Sequence, residues 1–248
     1  MNKTVIETQD LSKKFNSIWA LKDLNIDVYE GEIFAFLGLN GAGKTTTIKL
    51  LTGLLKPTKG VVKISGYDIQ KDSVNAKRLL AYIPDEPYLY EKLTGREFLE
   101  FVAELYKISG EDKQKIIGHF IDYFQMQEYI DKLIQDYSHG MKQRLVFSAA
   151  FIHNPRLVII DEPLVGLDSA SAKKVKQLLI NKASAGVSFF ISTHTLSFAE
   201  ELAGRIAIID KGQLLAVGTQ DELRARSGIE GRLEEVFLKI TEEGKTGC

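Results

Sequence analysis

Two short segments of this chain carry side chains able to do chemistry together. The first is Gly38-Leu39-Asn40-Gly41-Ala42-Gly43-Lys44-Thr45, which fits the phosphate-binding pattern G-x-x-x-x-G-K-[ST]. Its glycines let the backbone curl until successive N–H groups point at one anion. Lys44 can reach the outer phosphates of a nucleotide, and the Thr45 hydroxyl can ligate Mg²⁺. The second is Leu157-Val158-Ile159-Ile160-Asp161-Glu162. Four apolar residues bury a strand, and two carboxylates emerge at its C-terminal end, where parallel sheets bind ligands. Asp161 would hold Mg²⁺, directly or through water, and Glu162 is the candidate general base for an attacking water. An acidic pair closing a strand can equally be a solvated turn, but beside the glycine-rich loop it implies phosphoryl chemistry.

Such residues need a rigid frame, and the hydrophobic pattern supplies one. Ile33 to Leu37 is continuously apolar, as in a strand buried on both faces, and it runs directly into the glycine-rich loop. An amphipathic helix carrying Ile48, Leu51 and Leu55 follows, so the loop ends on a helix N-terminus whose partial positive charge favours an anion. Leu157–Ile160, Ser188–Ser192 and Arg205–Ile209 repeat the buried-strand pattern with helical stretches between them. The arrangement predicts a parallel sheet with helices on both sides. Val5-Ile6-Glu7-Thr8 and Ile26-Asp27-Val28-Tyr29 alternate instead, which predicts a half-buried antiparallel sheet, and Glu30-Gly31-Glu32 is a turn. Between Lys92 and Asn154 the pattern becomes helical. It opens on a capping box of Thr94 and Glu97, with Leu93 and Phe98 placed as a hydrophobic staple. Phe98, Phe101, Val102 and Leu105 form the expected inner face of that helix. A last helix is expected from Thr219, capped with Glu222, and the residues after Leu238 are expected to fray.

Composition narrows the functional classes. The chain has 248 residues, a formal net charge of −1 and one cysteine, Cys248. A lone thiol forms no internal disulfide and points to a reducing compartment. Interleaved charges argue against a general nucleic-acid surface. The apolar runs are a few residues long, where a membrane span needs about 20, and no secretory apolar core follows Met1-Asn2-Lys3-Thr4. The expected location is therefore cytoplasmic, with any action at a membrane exerted through a partner.

Taken with further segments, the two motifs make the chain resemble the ATP-binding subunits of ABC transporters over almost its whole length. Tyr137-Ser138-His139-Gly140-Met141-Lys142-Gln143-Arg144 is similar to the family signature LSGGQ and its basic continuation. Taken alone, Ser138 is an ordinary helix N-cap. The resemblance implies that Ser138, Gly140 and the helix they start face the γ-phosphate held by another subunit. Pro163-Leu164-Val165-Gly166-Leu167-Asp168 resembles the D-loop that crosses the dimer interface. His194, after Ser192-Thr193, resembles the switch histidine that contacts the γ-phosphate and orients water. Phe15 matches the aromatic residue that stacks on adenine, with Trp19 as its rival and core packing as the alternative for both. His119 and His153 are read as surface or packing residues. Two departures stand out: Asp85 replaces the usual Gln after Tyr82-Ile83-Pro84, and His139 and Met141 replace signature residues. These bear more on signalling to a partner than on hydrolysis.

The expectation is an α/β fold: a P-loop NTPase core with a parallel sheet, a small antiparallel β subdomain and an inserted helical subdomain. Residues 1–85 and 155–220 form the core and antiparallel sheet, 86–154 the helical subdomain, and 221–248 a C-terminal helix and tail. The resemblance implies ATP hydrolysis with ATP and Mg²⁺. Lys44, Glu162 and His194 would be catalytic. Phe15, Asn40, Gly41, Ala42, Gly43, Lys44, Thr45, Thr46, Ser138 and Gly140 would bind the nucleotide, and Thr45, Asp161 and Asp85 would serve the metal. It implies a head-to-tail dimer with an identical or closely related ATPase subunit, coupled to a separately encoded transmembrane permease, peripheral on the cytoplasmic face of the membrane, with no nucleic-acid partner. The stretch Asp85-Glu86-Pro87-Tyr88-Leu89-Tyr90 and the helix after it resemble those of subunits serving small two-component exporters. The rival reading is a soluble ABC ATPase of translation or DNA maintenance. Such proteins usually carry two modules or a long coiled coil, and this chain has neither.

Overall fold

The computed structural model describes residues 3–164 and 167–246. The chain opens with β1 (Thr4–Phe15), β2 (Ile18–Leu24) and β3 (Asp27–Tyr29). β4 (Ile33–Leu37) then leads through the glycine-rich loop into α1 (Lys44–Leu51). β5 (Lys59–Ile64), β6 (Tyr67–Asp68), α2 (Ser73–Arg78) and β7 (Leu80–Ile83) follow. The helical region comprises α3 (Gly95–Leu105), α4 (Gly110–Phe124) and α5 (His139–Phe151). The chain then alternates through β8 (Leu157–Asp161), α6 (Ser169–Ser184), β9 (Ser188–Thr193), α7 (Leu196–Leu202) and β10 (Arg205–Asp210). It finishes with β11 (Gln213–Gly218), α8 (Gln220–Ser227) and α9 (Leu233–Thr246).

Two sheets result. β1 pairs antiparallel with β2, β3 and β5, as the alternating N-terminal pattern predicts. The larger sheet runs β11-β10-β4-β9-β8-β7, parallel except at the β10–β11 hairpin. Its central strands β4, β8, β9 and β10 are buried on both faces because alternate side chains feed different clusters. Phe34, Phe36, Leu157, Ile159 and Phe190 turn toward α1 and the antiparallel sheet. Val158, Ile160, Phe189 and Ile191 turn to the other face, against α6 and the helical region. Ala35, Leu37, Ile206 and Ile208 meet α9. The first of these clusters joins both sheets in one core, so the frame around the loop is continuous.

Two expectations are corrected. On α3 the Thr94–Glu97 capping box is present, but the inner face is Phe98, Leu99 and Ala103, while Phe101 and Leu105 are 38% and 64% exposed. Gly95 sets this rotation, since a Cβ there would collide with the Tyr137 hydroxyl and Ile130. The glycine edge of the helix must therefore face inward. At the C-terminus the predicted capping box of Thr219 and Glu222 starts α8, but that helix is not the last. α9 carries Leu233, Val236, Phe237 and Ile240 as one buried stripe, so the chain beyond Leu238 remains helical to Thr246.

Candidate functional site

The loop between β4 and α1 is shaped by its glycines. Gly43 caps α1 at φ 107°, and a Cβ there would lie 2.8 Å from the Ala20 carbonyl. Gly38 allows no side chain either, its Cβ position being 2.6 Å from the Ile209 carbonyl. Only glycine meets both demands at Gly43, a left-handed backbone and a close neighbouring strand. Lys44, 7% exposed, folds back over the loop. Its Nζ donates to the carbonyls of Gly38 at 2.8 Å and Leu39 at 3.3 Å, and stands 3.7 Å from Glu162 Oε1.

The carboxylates arrive on β8, beside β9 in parallel register, with Asp161 opposite Ser192. Asp161 is buried at 5% exposure. It accepts hydrogen bonds from the Ser192 hydroxyl and, at 3.3 Å, from the Thr45 hydroxyl at the start of α1. Glu162 follows with φ 50°, a left-handed conformation unusual for a residue with a side chain. That geometry costs about 1–3 kcal/mol and persists where surrounding contacts over-determine it. Its carboxylate accepts from Thr193 Oγ1 at 3.3 Å and from the His194 backbone N–H at 3.4 Å, and lies 2.8 Å from His194 Nδ1. The backbone turn separates adjacent carboxylates, sending Asp161 toward Thr45 and Glu162 toward His194 and Lys44.

These groups surround a cavity of about 530 Å³ lined by Asn40, Gly41, Gly43, Lys44, Thr45, Thr46, Asp85, Asp161 and Glu162 at one end and by Ile18, Trp19 and Ala20 at the other. Ala42 is buried behind the loop and does not line it. Phe15 does not line it either; it is 47% exposed at the end of β1, with Lys13 Nζ 5.2 Å from its ring centroid. Trp19 is the aromatic side chain at the cavity wall. His194 borders a small neighbouring recess with Glu162. Burial, then the charges of Asp161 and Glu162, push the Asp85 carboxyl above its ordinary range. Burial, then Asp161, pushes the Tyr82 hydroxyl up to about 12.

Ser138 and Gly140 are not brought to this cavity. Ser138 caps α5, its Oγ accepting from the Met141 N–H at 3.3 Å, with Gly140 in the first turn. Tyr137 before it is buried and donates to the Tyr129 carbonyl at 2.7 Å. Of the segment Pro163–Asp168, Val165 and Gly166 lie outside the described residues. Its last residue, Asp168, caps α6 by accepting from the Ser171 N–H at 2.8 Å. Of the other histidines, His153 stacks on Tyr106 with centroids 3.8 Å apart and His119 packs edge-on against Phe120.

Three residues of this neighbourhood escape sequence reasoning. Ser192 holds Asp161, which only the β8–β9 register reveals. Arg144 of α5 donates to Ser171 Oγ at 2.7 Å and approaches Asp168 at 3.4 Å, tying α5 to the start of α6. Lys211, in the β10–β11 turn, lines the cavity.

The comparisons with known proteins agree with this geometry. Residues 21–165 match the ABC transporter domain family. The chain is 40% identical to the bacitracin transport ATP-binding protein BcrA of Bacillus licheniformis over 225 residues, 90% of this chain and 72% of the relative. It is 39% identical to the SkfA peptide export ATP-binding protein SkfE of Bacillus subtilis (strain 168), covering 85% of this chain and 87% of the relative. A solved ATP-binding subunit of an ABC transporter superposes with a TM-score of 0.92 at 34% identity, over 96% of this chain and 100% of that one.

Proposed function

This chain belongs to the ABC transporter family as an ATP-binding subunit, and from that premise we propose that it hydrolyses MgATP within a head-to-tail dimer and drives a separate membrane permease. The observation carrying the reading is the convergence of Lys44, Thr45, Asp161 and Glu162 on one cavity, with His194 on Glu162. Phosphoryl transfer asks a protein mainly for positioning and charge neutralisation. Lys44 would exchange the carbonyls of Gly38 and Leu39 for the β- and γ-phosphate oxygens, and the loop amides would cradle the same groups. Glu162 would take the proton of the attacking water, and His194 would fix the carboxylate's direction and contact the γ-phosphate.

The donors offered to a metal are all oxygens: the Thr45 hydroxyl, the Asp161 carboxylate and the Asp85 carboxylate across the cavity. That set fits Mg²⁺, which takes one or two carboxylates and completes its shell with phosphate oxygens and water. When bound, Mg²⁺ would neutralise charge on the phosphates. Trp19 would take the base in preference to Phe15, which stands outside the cavity wall.

The dimer is supported by the placement of Ser138 and Gly140. They form a helix start suited to an anion, yet line no part of their own chain's cavity, and a head-to-tail dimer would bring the two together. Permease docking is supported by a groove of about 490 Å³ whose lining includes Leu54, Tyr82, Tyr88, Phe98, Val102 and Ala149. Tyr88 is 87% and Tyr90 60% exposed beside it. Among the described residues no helix is long and apolar enough to cross a membrane, and the proposed permease would supply the crossing. The relative named for peptide export supports outward transport.

The test is Glu162→Gln. It keeps shape and hydrogen bonding but removes the base, so hydrolysis should fall about 10²–10⁴-fold. ATP should then accumulate a dimer visible by light scattering, whereas Lys44→Ala, which weakens phosphate binding, should give little. Near-wild-type hydrolysis by Glu162→Gln would place the base elsewhere. ATP binding without dimerisation would end the head-to-tail reading.

A further inference from the structure

The β10–β11 hairpin turns through Asp210-Lys211-Gly212-Gln213, with Asp210 paired to Gln213. Both central residues have positive φ, 44° for Lys211 and 76° for Gly212. This is the two-residue turn that favours Asn or Asp ahead of Gly, because the first position must also be left-handed. Lysine is a poor choice there on backbone grounds, and strained positions of this kind concentrate at ligand sites.

The turn is pinned to the nucleotide loop. The Gly212 N–H donates to the Ala42 carbonyl at 2.8 Å, and the Gly212 carbonyl accepts from the Lys22 N–H at 2.8 Å. A Cβ on Gly212 would lie 2.7 Å from the Ala20 carbonyl, and the Gly212 Cα is 3.4 Å from where a Gly43 Cβ would be. The turn is thus wedged between β2 and the last glycine before α1. Lys211 leaves this wedge into the cavity that Lys44, Thr45 and Thr46 line. Its side chain is exposed, and no carboxylate among the described residues holds it in an ion pair.

We propose that Lys211 is a second phosphate-binding cation of this site, contacting the inner phosphates of the nucleotide from the Gly43 side while Lys44 serves the outer ones. The inference rests on the nucleotide reading of the cavity. A flexible ammonium beside a helix N-terminus adds charge where the polyanion lies. Because it contacts the part common to both nucleotides, it should serve MgADP and MgATP alike.

The experiment measures MgATP and MgADP affinities by calorimetry on the full chain for wild type, Lys211→Asn, Lys211→Gly, Lys211→Arg and Lys44→Ala. Lys211→Asn should weaken both nucleotides by roughly three- to tenfold, the scale of one partly screened charge contact. It should leave the melting temperature unchanged or raised, since Asn suits the turn better. Lys211→Arg should stay within about twofold of wild type, and the loss in Lys211→Asn should shrink at high ionic strength. If Lys211→Asn binds both nucleotides as wild type does while Lys44→Ala is impaired, the inference fails and the nucleotide site stands. It fails equally if Lys211→Arg loses as much as Lys211→Asn. A parallel fall of affinity and melting temperature in both the Asn and Gly variants would make the lysine merely structural. If wild type binds neither nucleotide, the reading of the cavity itself is wrong.

Discussion

At the nucleotide cleft, side chains from different strands hold one another: Asp161 is gripped by Ser192 and Thr45, and Glu162 by Thr193 and His194. At the start of α5, Ser138 is satisfied by its own helix, and the surface of the helical region carries exposed Tyr88, Tyr90, Phe101 and Leu105. The first region is built on strands buried on both faces and is organised within one chain. The second presents exposed groups that, on the proposed reading, would meet partners on other molecules. The difference separates chemistry from communication. Damage to the core beneath the cleft should cost folding and hydrolysis together, whereas damage to the exposed face of the helical region should cost coupling at smaller expense in stability.

The hardest blow to this contrast is Phe190→Ala. The Phe190 ring lies 5.8 Å from that of Phe34 and 5.2 Å from that of Phe36, in the cluster joining both sheets. Truncation should cost about 3–5 kcal/mol in chemical denaturation, and the loss of nucleotide binding should track unfolding. A cost below about 1 kcal/mol would mean that the cleft does not depend on this core. Ser138→Ala is the counterpart in the helical region. Losing the cap should cost about 0.5–2 kcal/mol, while ATP affinity of the isolated chain stays unchanged and dimer-dependent hydrolysis falls. Equal losses of affinity and stability would break the contrast.

Asp85 sits on the boundary and sharpens it. Its folded pKa is raised by burial and by Asp161 and Glu162. A raised folded pKa means its favourable contribution is complete below the unfolded carboxyl pKa and is lost as pH rises through the folded one. Asp85→Gln should therefore melt higher than wild type near neutral pH, and the gain should vanish on acidification. ATP affinity should change by no more than a few-fold, with permease stimulation altered most. Abolished hydrolysis in the isolated subunit would make Asp85 catalytic. The smallest effect in isolation belongs to Tyr88→Ala with Tyr90→Ala. Exposed substitutions of this kind stay within about 0.5 kcal/mol, yet membrane-fraction association should be lost. Unchanged membrane association would move docking elsewhere.

The same division decides what was legible in the sequence. Continuous apolar strands announced the parallel sheet, because burial on both faces leaves no alternative pattern, and the loop glycines and paired carboxylates announced where its ligand lies. On α3, Phe98, Leu99, Phe101, Val102, Ala103 and Leu105 surround the helix with apolar groups, so periodicity alone could not choose a face; Gly95 against Tyr137 chose it. Sequence spacing left Phe15 and Trp19 open, and only the path of the β1–β2 hairpin put Trp19 at the cavity wall. The Leu233, Val236, Phe237 and Ile240 stripe is masked in the sequence by the acidic residues around it. Ser192, Arg144 and Lys211 act through pairing and turns distant in sequence, and no local pattern marks them.

The register of β9 also governs which accidents of heredity this molecule survives. Asp161 opposes Ser192, and Leu37 opposes Thr193, immediately before His194. One codon gained or lost between Ser188 and Ser192 would send every following side chain of the strand to the opposite face, exchanging the surroundings of both carboxylates at once. The same change in the turn around Gly186, at the far end of the strand, would be absorbed before pairing begins. Length should thus be better tolerated in the turn before β9 than within the strand itself.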